Sequence, residues 1–144
     1  MSSPLRAVGQ ALLGSFLVLA GVAHLTFART EFRAQVPPWF PADADLVVLV
    51  SGVVEIAVGA ALLLVWRHPA RAVVGLVTAA LFVAVFPGNI AQLTEHRDAF
   101  GLTSDTSRAV RLVFQPVLVV WAVWSTGARR WWRRRRVPPP EQHA

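Results

Sequence analysis

The chain has 144 residues, of which 55% are hydrophobic and 15% charged, with a formal net charge of +6 and a mean hydropathy of +0.51. That balance is the composition of a membrane protein. Cysteine is absent, which excludes disulfides, thiolate metal ligands, cysteine-held iron–sulfur clusters and covalently attached haem.

The first apolar stretch covers roughly residues 7 to 27, near the ~20 residues that a spanning helix needs. Arg6 ahead of ALLGSFLVLAGVA also has the outline of a signal peptide ending near Ala23. The lone arginine and the apolar run continuing past that point favour a retained span. Gly14, Gly21 and His24 share one face of this helix.

A shaped loop follows, ARTEFRAQVPPWFPADAD. Phe32 and Val36 stand at i, i+4, the spacing of a short interfacial helix, which Pro37 and Pro38 then stop. Trp39 and Phe40 suit the headgroup level, and Asp43 or Asp45 can cap the next helix.

The second stretch, Leu46 to Trp66, carries Glu55 near its middle. An acidic group there costs about 2.5–3.5 kcal/mol on insertion scales, so Glu55 is expected to face other helices. Ser51, Gly52 and Gly59 flank it on the same face, small enough for close packing.

RHPAR, Arg67 to Arg71, then turns the chain tightly into a third stretch, Ala72 to Leu93, which holds Asn89 after Pro87. The polar loop TEHRDAFGLTSDTSR leads to a fourth, Ala109 to Thr126, where Gln115 precedes Pro116 and Arg111 shortens the apolar part. The expected fold is all-α: an antiparallel four-helix transmembrane bundle over residues 1–127, with a basic and proline-rich tail over 128–144, disordered from VPPPEQHA onward.

The tail GARRWWRRRR holds Arg129, Arg130, Arg133, Arg134, Arg135 and Arg136. The positive-inside rule assigns it to the cytoplasm, and four spans bring the N-terminus to the same side of a cell membrane. Trp131 and Trp132 belong at the interface, with the guanidiniums near anionic lipids at about 1 kcal/mol each. A polybasic run directly after a span needs no nucleic acid to explain it.

At a rise of about 1.5 Å per residue, His24, Ser51, Asn89 and Gln115 each lie roughly 5–8 Å below the outer surface, and Glu55 roughly 13 Å. The expectation is an outward-facing polar pocket built from His24, Ser51, Glu55, Asn89 and Gln115. The structural alternative is that these groups satisfy one another and fix helix register, at about 0.6 kcal/mol per interhelical bond. Pro87 and Pro116 also free backbone carbonyls that Asn89 and Gln115 can serve. No second histidine stands at the depth of His24, so no metal site is expected.

GVAHLTF, FRAQVPPWFP, SGVVEIAVGAALL, VFPGNI and RLVFQPVLVVW, in that order, resemble DoxX-type membrane proteins. The resemblance implies a small four-helix membrane protein, with some relatives associated with quinone-linked sulfur oxidation or membrane oxidoreductase complexes. It makes the chain a non-catalytic membrane subunit or anchor of a redox complex, with an oxidoreductase partner and a quinone in the pocket. The alternatives are a small-solute or proton carrier, which a narrow four-span bundle would make as a homo-oligomer, and a purely structural membrane protein. No catalytic residues carry over.

Overall fold

In the computed structural model, which describes residues 3–137, helix dominates and no β-strand occurs among those residues. The helices are α1 (Pro4–Leu25), α2 (Arg29–Arg33), α3 (Ala44–Leu64), α4 (Ala70–Ala84), α5 (Phe86–Thr94), α6 (Asp105–Ser125) and α7 (Ala128–Arg136). Four stretches are long and apolar enough to cross a membrane: α1, α3, α4 with α5, and α6. The end of VPPPEQHA, from Pro138, lies outside the described residues.

Three of the spans, α1, α3 and α6, start where a polar side chain takes up free backbone donors, whereas α4 follows Pro69. Ser3 accepts from the Arg6 N–H, Asp43 from those of Asp45 and Leu46, and Ser104 from that of Ser107. Asp45 is engaged elsewhere, accepting from Arg29 Nε at 2.6 Å. The segment after α1 does begin as a short helix, α2, and leaves it before Pro37.

Glycines set how closely α1 and α3 approach. A Cβ on Gly14 would stand 2.9 Å from the Gly59 carbonyl oxygen, and one on Gly21 would stand 2.6 Å from that of Gly52. Residue numbers rise along one helix as they fall along the other, and backbone meets backbone without side chains between. On the other side of the molecule Gly75 of α4 faces Thr126, and Trp121 of α6 donates to the Gly9 carbonyl of α1 at 2.9 Å. Leu13, Leu17, Val58, Leu62, Ala79, Phe82 and Ala122 fill the space between these contacts.

The third apolar stretch is broken at Val85, and Pro87 takes an early position in α5, where its missing N–H is least costly. Pro116 is accommodated inside α6. Gly127 adopts a left-handed backbone, φ 70°, which ends the α6 run and starts α7 in a new direction. The molecule therefore has a loop end, carrying residues 26–43 and 95–104, and a tail end, carrying the turn 65–69 and α7.

Candidate functional site

The glycine seam fixes the register that brings His24 of α1 to Glu55 of α3. His24 Nδ1 lies 3.1 Å from Glu55 Oε2, and both side chains are buried. The same nitrogen is 2.9 Å from the carbonyl oxygen of Ala20, one turn earlier. With the proton on Nδ1, its N–H is directed to Ala20, and Glu55 Oε2 is left buried with no hydrogen-bond donor. A carboxyl oxygen in that state is costly, and most buried polar groups avoid it.

The loop end covers this pair with aromatic rings. Phe32 of α2 stacks on the His24 imidazole, with ring centroids 3.3 Å apart. Phe100 meets Phe32 edge-on at 4.8 Å, and the Arg111 guanidinium lies 4.8 Å over the Phe100 ring. The Phe100 N–H donates to Glu31 Oε2 at 2.7 Å, tying the second loop to α2. Arg97 adds two bonds, to the carbonyls of Ala34 and Val36.

Of the five residues expected to share a layer, Asn89 and Gln115 form a pair of their own. Asn89 Nδ2 donates to Gln115 Oε1 at 2.9 Å, and Gln115 Nε2 donates to the Phe82 carbonyl at 2.8 Å, beside the break at Val85. This pair staples α5 and the end of α4 to α6. Ser51 is half-buried one turn from Glu55 and belongs to neither pair.

Two surface cavities lie elsewhere. One, about 250 Å³, is lined by Trp39, Pro87, Ile90, Ala91, Thr94 and Glu95. The other, about 330 Å³, is at the tail end. No group of three or more His, Asp or Glu side chains suited to a metal ion occurs among the described residues.

Trp39 is 67% exposed at the loop end. Trp131 is half-buried and Trp132 exposed on α7, where the Arg135 and Arg136 guanidiniums lie 4.4 Å and 5.0 Å over their respective rings. Arg133 and Arg134 are exposed on the same helix.

Sequence reasoning missed a second buried polar network, at the tail end. Arg71, 3% exposed, donates from Nε to Gln10 Oε1 at 2.6 Å and from an Nη to the Ser125 carbonyl at 2.9 Å. Gln10 in turn donates to the carbonyls of Leu62 and Val65. The two side chains thus satisfy the C-terminal carbonyls of α3 and α6, and the Arg71 charge suits the negative end of the α6 dipole. Gln10, a lone amide inside the first apolar stretch, was the available signal.

A family model described as a domain of unknown function, DUF8561, matches residues 13–126. The chain belongs to the DUF8561 family. The DUF8561 match takes in the glycine seam, His24, Glu55, Asn89 and Gln115, and stops just before α7. It corrects the resemblance to DoxX-type proteins, since the matching family is DUF8561 and no DoxX match is found. The motifs behind that resemblance are glycines spaced for close helix packing and prolines in a loop and within spans. Such features meet requirements common to small helical membrane proteins and do not separate one family from another. No curated protein and no solved structure matches the chain.

Proposed function

We propose that this DUF8561 protein is a multi-pass membrane protein, an antiparallel bundle with both termini cytoplasmic, that acts as a non-catalytic membrane subunit. Its working feature is a small polar site at His24 and Glu55, reached from the outer side. The observation carrying this reading is the buried Glu55 Oε2, left without a donor beside His24 and beneath Phe32. Ionisable groups inside spans are rare, and an incompletely satisfied one is a candidate point of ligand contact. The redox association came only from the DoxX resemblance and is not carried forward.

The site is one-sided. Leu13, Leu17, Leu62 and Phe82 are buried in the apolar core together with residues of all four spans, and the polar network of Gln10 and Arg71 belongs to the tail end. That arrangement favours a binding or docking role over a proton or solute carrier, which requires a polar path to both sides. The carrier reading has the intramembrane His24–Glu55 pair in its favour.

The test is recovery of tagged wild type and Glu55→Gln from native membranes in mild detergent, followed by mass spectrometry of copurifying proteins and small molecules. A component held by wild type and lost from an equally stable Glu55→Gln protein is the expected result. Identical sets would sink the reading and leave the pair structural. Proton flux in liposomes containing wild type, absent with Glu55→Gln, would replace it with the carrier.

A further inference from the structure

The two ends of the molecule handle charge in opposite ways. At the loop end four arginines are paired with carboxylates, Arg29 and Arg33 with Asp45, Arg97 with Glu95, and Arg108 with Asp98 and Asp105, while Arg111 lies over the Phe100 ring. The tail end carries Arg6, Arg67, Arg71 and the six arginines of α7, and no carboxylate there is within ion-pair distance of any of them among the described residues. Among the described residues this end therefore carries a positive charge that no carboxylate neutralises.

A cavity of about 330 Å³ sits in this unneutralised region, lined by Leu76, Val123, Ala128, Arg129, Trp132 and Arg133. The volume is in the range of small-ligand sites, ~300–1,000 Å³. Its walls are of two kinds. Leu76 of α4 and Val123 of α6 form an apolar side continuous with the spans. Arg129 and Arg133, one turn apart on α7, present two guanidiniums on one face. Trp132 adds an amphipathic ring between the two environments, as at a membrane interface. Two further arginines of α7 are disposed differently: Arg135 and Arg136 lie over the rings of Trp131 and Trp132.

We propose that this cleft between α7 and the ends of α4 and α6 is a binding site for one anionic phospholipid. Arg129 and Arg133 hold the headgroup phosphate by charge-assisted hydrogen bonds, and the acyl side lies against Leu76 and Val123. The site differs from general attraction of the tail to an anionic surface, in which every arginine of α7 counts about equally. It rests on the membrane placement of the spans but not on the His24–Glu55 site, so either can fail alone.

The test uses purified full-length protein in neutral detergent, titrated with phosphatidylglycerol or phosphatidylcholine and followed by native mass spectrometry. Wild type is expected to retain one phosphatidylglycerol in preference to phosphatidylcholine. Arg129→Gln with Arg133→Gln should weaken that first adduct by at least about tenfold, whereas Arg130→Gln with Arg134→Gln, removing the same charge, should change it less than about threefold. Val123→Trp fills the apolar wall without altering charge and should also displace the lipid. Equal losses in the two double variants, indifference to headgroup, or competition by inorganic phosphate as effective as by lipid would overturn the proposal. So would an unchanged first adduct with Val123→Trp. All substituted arginines are exposed, and circular dichroism confirms that each variant is folded before its lipid binding is read.

Discussion

Both ends of this molecule bury an ionisable side chain, but they treat it differently. At the tail end Arg71 has Gln10 and the Ser125 carbonyl as acceptors, and the Trp66 ring stands 5.5 Å from its guanidinium. At the loop end Glu55 has an imidazole neighbour whose N–H is directed elsewhere. A buried ionisable group that closes its hydrogen bonds on helix termini holds the fold together. One left partly open costs stability and retains a capacity to bind. The contrast separates a structural site from a functional candidate although both residues were rare polar insertions in apolar sequence.

The comparison breaks most directly at Arg71. Arg71→Met should strand the Gln10 Oε1 and Ser125 carbonyl acceptors and destabilise the protein by about 2–4 kcal/mol, read as a lower unfolding midpoint in detergent titration. If Glu55→Gln proves the more damaging, the assignment of roles to the two ends is reversed. Next in size is Gly52→Ala: its new Cβ would stand 2.8 Å from His24 Cβ and 3.0 Å from the Gly21 carbonyl. That wedge should cost about 1–3 kcal/mol and separate His24 from Glu55. A variant with unchanged stability would show that the seam yields freely.

Glu55→Gln itself should shift stability by less than about 1 kcal/mol, since interhelical polar contacts contribute little and the lost oxygen had no donor. A larger fall in the unfolding midpoint would mark the carboxylate as structural. The smallest effect belongs to His68, which is exposed in the tail-end turn. Partial desolvation, followed by the charges of Arg71 and Arg134, holds its imidazole below the ordinary 6.5. The folded protein therefore binds this proton less readily than the unfolded chain. The associated stability is complete above 6.5 and declines as pH falls through that value towards the folded pKa. An imidazole NMR titration midpoint at or above 6.5 would contradict the crowding of positive charge proposed for this end.

Much of this contrast was invisible in the sequence for specific reasons. Hydropathy located four apolar stretches because lipid-spanning length is a one-dimensional property, and the helices start slightly ahead of those stretches, at a polar cap in α1, α3 and α6 and after Pro69 in α4. The shared face of Gly14, Gly21 and His24 and that of Gly52, Glu55 and Gly59 were legible from helical periodicity. Their mutual register was not, because shifts of a few residues along the rise exceed a hydrogen bond's tolerance. Asn89 and Gln115 fell at a similar depth to His24 but pair across a different helix contact, and depth alone cannot distinguish azimuth. Arg71 was read as part of a turn, whereas helix packing draws it between Gln10 and Ser125.

The glycine seam has a further consequence for biosynthesis. α1 and α3 are consecutive spans, so their hairpin can close before α4 to α6 have left the ribosome. His24 and Glu55 lie within that hairpin and can meet as it closes, which on the proposed membrane placement gives the carboxyl a polar neighbour at the stage when no other helix is present to shield it from lipid. The order in which the chain is made thus delivers the Glu55 carboxyl already accompanied.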